Sequence, residues 1–359
     1  MVHSGTSPKV YNKLYHVEME KVVVAMSGGV DSSVTAYLLM KKEMAVEGVF
    51  FILFDNPPNI ELAKKTANFL GIKLHIEDLR DNFKKYVIEP FFDGYRRGIT
   101  PNPCILCNSY IKFPTLKKIA DKIGANYFST GHYARVIKKN GNYFLLRGLD
   151  RNKDQSYFLY GINKLFLSQL ILPLGELTKQ EVKEIAKQSH IPSKIAEESV
   201  EICFLKNRKY YEMFKPATQG PIIEASTGRI IGQHRGIHLF TIGQRKRIGV
   251  SSQYPLYVVK IDPSKNAVYV DTKEKVFMKE FYVNELNWLV ELEKHKLSCE
   301  VKIRYAMKPE KAVVKIVNEK AKVVFESPQF APTPGQSAVF YSDDIVLGGG
   351  VITETVQDF

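Results

Sequence analysis

Residues 21–26, KVVVAM, run straight into SGGVDSS (27–33) and then into VTAYLLMKK. This junction narrows the possible folds more than any other stretch. A short β-branched run reads as a buried strand, VTAYLLMKK has helical spacing, and a loop with two adjacent glycines joins them. EGVFFILF (47–54) gives a second strand, IELAKKTANFLGI (60–72) a helix closing on Gly71, and KLHIEDL (73–79) a third strand. FPTLKKIADKIG (113–124) and ANYFSTGH (125–132) repeat the alternation. Strands and helices alternating at these lengths predict an α/β unit, a parallel sheet with helices on both faces.

Further along, YARVIKKNGNYFLLRGL (133–149) predicts a hairpin turning at Lys139-Asn140-Gly141, and TKQEVKEIAKQSH a helix capped by Thr178. Near residue 218 the pattern changes to short alternating runs such as HLFTIG, PLYVVKID, NAVYVD, CEVKIRY and KAVVKIV. These predict two small β-rich domains, the last a β-barrel. The expected organisation is a flexible lead-in at 1–19, then units at 20–217, 218–274 and 275–359.

No apolar run approaches the roughly 20 residues of a membrane helix, and the first 20 residues have no apolar signal core. A cytoplasmic protein with no membrane partner is expected. The net charge of +13 favours a polyanionic partner such as nucleic acid. There are four cysteines, at 104, 107, 203 and 299. Without a secretory signal, the Cys104–Cys107 pair in TPNPCILCNSYIKF points to chemistry or metal binding rather than a disulfide scaffold.

SGGVDSS stands where a phosphate site belongs. Gly28 and Gly29 let backbone N–H groups turn inward, Ser27, Ser32 and Ser33 add hydroxyls, and the next helix supplies its positive end. Asp31 is poor company for a phosphate unless Mg²⁺ bridges them. The loop resembles the PP-loop of ATP pyrophosphatases, which split ATP between its α and β phosphates and adenylate an acceptor oxygen. TPNPCILCNSYIKF, STGHYAR, LLRGLDRNKDQSYFLY, LPLGELTK, EICF and GIHLFTIGQRKRIG then occur in an order and spacing similar to the tRNA-specific 2-thiouridylases. That resemblance runs from about residue 20 to the GGGV near the C-terminus.

The resemblance implies a Rossmann-like PP-loop domain, a small central tRNA-binding domain and a barrel. It also implies ATP-dependent sulfur insertion at C2 of the wobble uridine. Oxygen at C2 is a poor leaving group; transfer of AMP makes it a good one, which a sulfur nucleophile displaces. By the resemblance, Cys203 in EICF is the persulfide carrier and Cys107 in LCN the second catalytic thiol, with a persulfide donor protein such as a cysteine desulfurase or sulfur relay protein as partner. Ala25, Met26, Ser27, Gly28, Gly29, Val30, Asp31, Ser32, Ser33, Phe51 and Gly131 fall at the nucleotide, where Phe51 replaces a more usual methionine. Asn102, Pro103 and Cys104 fall beside the target base, and Lys153, Asp154, Gln155, Arg304 and Tyr305 on the tRNA.

Many members carry aspartate at position 104, so its role there does not transfer to a thiol. A second reading makes Cys104, Cys107 and Cys203 ligands of a [4Fe–4S] cluster that supplies sulfide. Zinc lacks an obvious second CxxC or HxxxH. Two rival functions are a PP-loop synthetase forming an amide and a non-catalytic RNA-binding protein. The first leaves the thiols and basic β domains idle. Gln244-Arg245-Lys246-Arg247 reads either as a basic RNA contact or as a solvated face, and His132 is assigned no catalytic role.

Overall fold

The computed structural model describes residues 19–57, 59–192, 202–205, 209–214 and 217–355. Most of the expected lead-in, residues 1–18, lies outside these. β1 (Lys21–Ala25), α1 (Val30–Lys41), β2 (Ala45–Ile52), α2 (Ile60–Leu70) and β3 (Leu74–Asp78) follow the expected order. Val22, Val23 and Val24 are fully buried because β1 is central in its sheet. α2 ends on Gly71 in the left-handed region, at φ +68°.

Next come α3 (Arg80–Phe83), a π turn at Lys84–Ile88 and α4 (Glu89–Arg96), which form one continuous helical stretch. A second such stretch comprises α5 (Pro103–Leu106), a π turn at Cys107–Lys112 and α6 (Phe113–Ile123). β4 is Tyr127–Ser129. The hairpin β5 (Ala134–Lys139) and β6 (Asn142–Arg147) turns at Asn140 and Gly141, both at positive φ, which suits the twist of paired strands. β7 (Leu170–Ile171) and α7 (Lys179–Gln188) complete this half of the chain. Thr178 and Glu181 form a reciprocal capping box on α7. The parallel sheet has the order β3-β2-β1-β4-β7.

β8 (Gly220–Glu224), β9 (Ile230–His234), β10 (Tyr257–Asp262) and β11 (Ala267–Asp271) make a four-stranded sheet. HLFTIG does not form the expected strand: Ile237–Leu239 is a 3-10 turn. Its apolar residues Ile237, Phe240 and Ile242 are buried in this unit's core from a turn instead.

β12 (Phe277–Trp288), β13 (Lys296–Lys302), β14 (Glu310–Val317), β15 (Lys320–Phe330), β16 (Ser337–Ser342) and β17 (Ile345–Thr355) form a barrel closed by β12–β17 pairing. The β5–β6 hairpin extends this sheet through Ile345 and Leu146 rather than joining the parallel sheet. Arg135 Nη2 to Asp344 at 2.6 Å and Arg147 Nη2 to Glu300 at 2.9 Å fasten it there.

Gly175 lies under that hairpin. A Cβ on it would fall 1.9 Å from Ala134 O and 2.4 Å from Ala134 C. Both neighbours are backbone, so neither can swing aside. Gly175→Ala is expected to cost about 3 kcal/mol or more and to lower the thermal midpoint. An unchanged melting curve would show that the turn has room to move.

Candidate active site

The phosphate loop sits at the C-terminal end of β1, where the strand order reverses between β1 and β4. Such reversals leave a crevice for ligands in open α/β sheets. Gly28 has φ +77°, and a Cβ there would meet Asn59 O at 2.6 Å, so the loop needs glycine at this point. Ser32 Oγ and Ser33 Oγ each donate to Gly29 O at 3.0 Å, and Ser27 N donates to Ser32 Oγ at 3.1 Å. These bonds fix a cup whose floor is the first turn of α1. The first N–H groups of a helix have no carbonyl partner within it and carry its positive end.

Ala25 closes β1, and Met26 and Val30 are buried on either side of the cup. Gly131, in the loop after β4, backs onto it: a Cβ there would lie 2.9 Å from Ser32 N. Phe51, near the end of β2, is half-buried against the main core. Asp31 is not an unengaged carboxylate in this structure. Its Oδ1 accepts from Tyr133 Oη at 2.8 Å and from Lys179 Nζ at 2.5 Å.

The thiols converge from two directions. Cys104 is exposed on α5, and Cys107 is buried at the start of the following π turn. Cys203 opens a 3-10 turn whose Phe204 and Leu205 are buried in the same cluster as Cys107. Desolvation by the surrounding protein raises all three thiols, even though Cys104 and Cys203 reach the surface, and Lys112 pulls each back down. Cys107 is pushed up to about 11 by burial, with Cys203 and Cys104 adding to the rise against Lys112. Burial alone would lower the Lys112 ammonium; the three thiols outweigh it, and the net direction is up.

A π turn places residue i+5 where an α-helix would bring i+4, and this aligns Lys112 with Cys107. His132 stacks on Phe113 at 5.9 Å and its Nδ1 lies 2.7 Å from Thr130 Oγ1. Burial, with help from Lys112, drops its pKa to about 3, so it is neutral. All four cysteines are free thiols.

The cluster alternative finds no counterpart in this geometry. Among the described residues no three His, Cys, Asp or Glu side chains are assembled to hold a metal ion. Lys112 brings a positive charge near all three thiols.

Because its thiolate is disfavoured, Cys107 in the ligand-free protein should react slowly with iodoacetamide near pH 7. Its rate should climb roughly tenfold per pH unit up to about pH 10, following the thiolate fraction. Peptide mass spectrometry at timed intervals checks this, and a plateau below pH 8 would contradict it.

The RNA-side residues divide. The TPNPC loop is held by the barrel and the middle unit: Thr100 N donates to Pro334 O, and Gln336 Nε2 to Thr100 O, both at 2.9 Å. Thr100 Oγ1 also reaches Thr241 Oγ1 at 3.3 Å. Asn102 hydrogen-bonds Tyr157, and Pro103 begins α5. Tyr305 is exposed and lies against Phe158 at 4.5 Å, with Lys302 Nζ 5.2 Å over its ring. An exposed aromatic ring beside a lysine suits a splayed nucleotide.

Three of the residues expected on the tRNA have partners within the chain. Asp154 is buried and accepts from Gly148 N, Ser156 N and Ser156 Oγ. Gln155 exchanges two hydrogen bonds with the backbone of Tyr133. Arg304 Nη2 donates to Ile242 O and Ala331 O at 3.0 Å and to Thr333 Oγ1 at 2.6 Å, bracing the barrel against the middle unit. Each satisfies backbone that would otherwise be buried without partners. Lys153 is half-buried in the same loop, its N–H donated to Asp150 O. Arg245, Lys246 and Arg247 are exposed, and Arg247 Nη1 bonds Tyr211 Oη at 2.8 Å. Lys112, Tyr133, Lys179, Phe158 and Lys302 were not singled out in the sequence. Their only signal was membership of motifs such as IKF, GHYAR and LTK.

No helix of the described residues is long and apolar enough to cross a membrane. The family model described as tRNA methyl transferase HUP domain matches residues 20–207. Those described as tRNA methyl transferase PRC-barrel domain and aminomethyltransferase beta-barrel domain match residues 208–272 and 278–352. A solved 4-thiouridine synthetase–RNA complex with bound ATP overlays with a TM-score of 0.33 at 23% identity, over 48% of this chain and 41% of that one, too slight a likeness to bear on the fold. The tRNA-specific 2-thiouridylase of Carboxydothermus hydrogenoformans is 42% identical, covering 93% of this chain and 97% of the relative. That of Halothermothrix orenii is 40% identical, covering 94% and 99%. With a phosphate loop and a thiol group in one unit, and relatives this similar along almost its whole length, the chain belongs to the tRNA-specific 2-thiouridylase family.

Proposed function

We propose that the chain is an ATP-dependent tRNA-uridine 2-sulfurtransferase acting on the wobble uridine. One observation carries the reading: the Gly131–His132 step lies between the phosphate loop and the lysine that acts on the thiols. Gly131 packs on Ser32 of the phosphate loop, and His132 lies on Phe113 within the electrostatic reach of Lys112, whose ammonium also acts on the thiols. A base held there meets ATP from one side and sulfur from the other.

In the first step O2 of uracil attacks the α phosphorus of ATP, pyrophosphate leaves, and C2 carries an adenylate. The N-terminus of α1 and the loop amides stabilise the phosphates. Asp31 is the carboxylate that would hold a Mg²⁺ at this place, and the ion would supply positive charge for the leaving pyrophosphate. In the second step the Cys107 thiolate attacks the inner sulfur of a Cys203 persulfide. The Cys107–Cys203 bond forms, the persulfide S–S bond breaks, and hydrosulfide leaves. Hydrosulfide adds at C2 and AMP departs with its oxygen. A thiol reductant restores the two cysteines, and a persulfide donor protein reloads Cys203. Tyr305 and Phe158 offer a surface for an anticodon-loop base, and Lys302 a charge beside it.

Nucleoside mass spectrometry of tRNA incubated with the protein, ATP and a persulfide-loaded cysteine desulfurase tests the reading. The expected result is 2-thiouridine that depends on ATP. Pyrophosphate release with ammonia and a carboxylic acid, without tRNA, would favour an amide-forming synthetase instead.

A further inference from the structure

We propose that Tyr210 is a positioning residue for Cys203. It fastens the segment that carries this thiol to α4 and, through Thr241, to the loop that leads into Cys104 and Cys107. The inference rests on the reading of Cys107 and Cys203 as the thiols that exchange sulfur, and adds what brings them together. Cys203 is exposed, which leaves it open to a donor protein. Its 3-10 turn is only Cys203–Leu205, closed by a bond from Leu205 N to Ile202 O at 3.0 Å. A turn this short does not set its own place, so packing around it has to.

Two rings one helical turn apart on α4 receive the segment. Phe91 meets Phe204 edge-on at 5.2 Å, and Tyr95 stacks on Tyr210 at 4.2 Å with the planes 24° apart. Phe91 and Tyr95 share a face of the helix and touch each other at 5.1 Å, so the four rings make one row. The hydroxyls of Tyr210 and Tyr95 hydrogen-bond each other and Thr241. Thr241 Oγ1 in turn lies 3.3 Å from Thr100 Oγ1, at the head of the TPNPC loop. The two stretches of chain that carry the sulfurs therefore meet at one threonine.

The residues after Tyr210 are gripped from the middle unit. Arg247 Nη1 donates to Tyr211 Oη at 2.8 Å, and the buried His238 stacks on Phe214 at 4.4 Å. Phe214 also meets Phe92 of α4 edge-on at 5.1 Å. Tyr210 and Phe214 are half-buried at the border of the cluster that holds Cys107, not at its centre. None of these contacts involves the phosphate loop. Loosening them should tell on sulfur transfer and spare adenylation.

A redox titration of the full chain against reduced and oxidised glutathione tests the assignment. Oxidised glutathione takes two electrons and two protons from the thiols, the Cys107–Cys203 bond forms, and two reduced glutathiones leave. The equilibrium constant then reports the effective concentration of one sulfur at the other, and peptide mass spectrometry identifies the bond. Tyr210→Leu should lower that constant by about tenfold, the scale of a stacked and hydrogen-bonded aromatic contact. The kcat for 2-thiouridine should fall with it, while KM for tRNA and tRNA-dependent pyrophosphate release stay within about twofold. Tyr210→Phe keeps the stack, loses the link to Thr241 and should fall between, at about threefold; His238→Ala should lower the constant in the same direction from the other unit. If Tyr210→Leu melts early, these two variants decide. An unchanged disulfide equilibrium, equal losses of thiolation and pyrophosphate release, or a wild type that forms no Cys107–Cys203 bond would each overturn the proposal. Failure of the functional reading shows separately, as wild-type protein that closes this bond yet makes no 2-thiouridine.

Discussion

Cys203→Ser protein is expected to release pyrophosphate from ATP in the presence of tRNA and to form no 2-thiouridine. Adenylation uses the phosphate loop and O2 of the base, and neither step requires a thiol. Sulfur transfer does require one, and a serine hydroxyl cannot carry a persulfide. The loss should reach about 10⁴-fold or more, the scale seen when a covalent nucleophile is removed. Cys107→Ser should fail later: it accepts ³⁵S from a loaded donor at Cys203 and holds it, because no thiolate splits the persulfide. Phe204 and Leu205, which follow Cys203, are buried in the same cluster as Cys107, so each variant removes one thiol and leaves that packing in place. Label retained equally by wild type and Cys203→Ser would show that the carrier lies elsewhere. Thiolation by Cys107→Ser at the wild-type rate would mean that the terminal persulfide sulfur attacks C2 directly.

The parts of the site that could be read from the sequence are those whose partners are near in the chain. KVVVAM, Gly28-Gly29 and the hydroxyls of Ser32 and Ser33 make one strand–loop–helix unit, and all of its bonds close within a few residues. The capping box on α7 is local in the same way. The joining of β6 to β17 is not local, since the alternation in NYFLLR says that it pairs but not with what. The same limit holds for the internal partners of Asp154, Gln155 and Arg304. Their polarity is plain in the sequence, yet which backbone groups each one meets depends on what the fold brings near. The convergence of Cys107 and Cys203 came from family resemblance, because a separation of this length carries no geometry of its own. Lys112 needed more still: in an unbroken α-helix it would face away from Cys107, and only the π turn brings it round.

Asp31→Ala should lose tRNA-dependent pyrophosphate release by about 10³-fold or more, several kcal/mol of transition-state stabilisation, while tRNA affinity stays near wild type. The carboxylate faces the phosphate loop and the RNA-side residues are carried by the TPNPC loop and the barrel, so one change should separate the two functions. The structure adds a second, opposite effect. Removing the carboxylate leaves the enclosed ammonium of Lys179 without its 2.5 Å partner. An unpaired charge in that position is costly, and an anion relieves it. Inorganic pyrophosphate without Mg²⁺ should therefore bind Asp31→Ala more tightly than wild type, although the variant no longer catalyses adenylation. Asp31→Asn keeps a hydrogen-bond acceptor for Tyr133 and Lys179 but no charge, and should fall between the two in pyrophosphate affinity. Wild-type release rates in Asp31→Ala would take the carboxylate out of the adenylation step. Weaker metal-free pyrophosphate binding in the same variant would show that the ion pair orders the loop rather than competing with the phosphates.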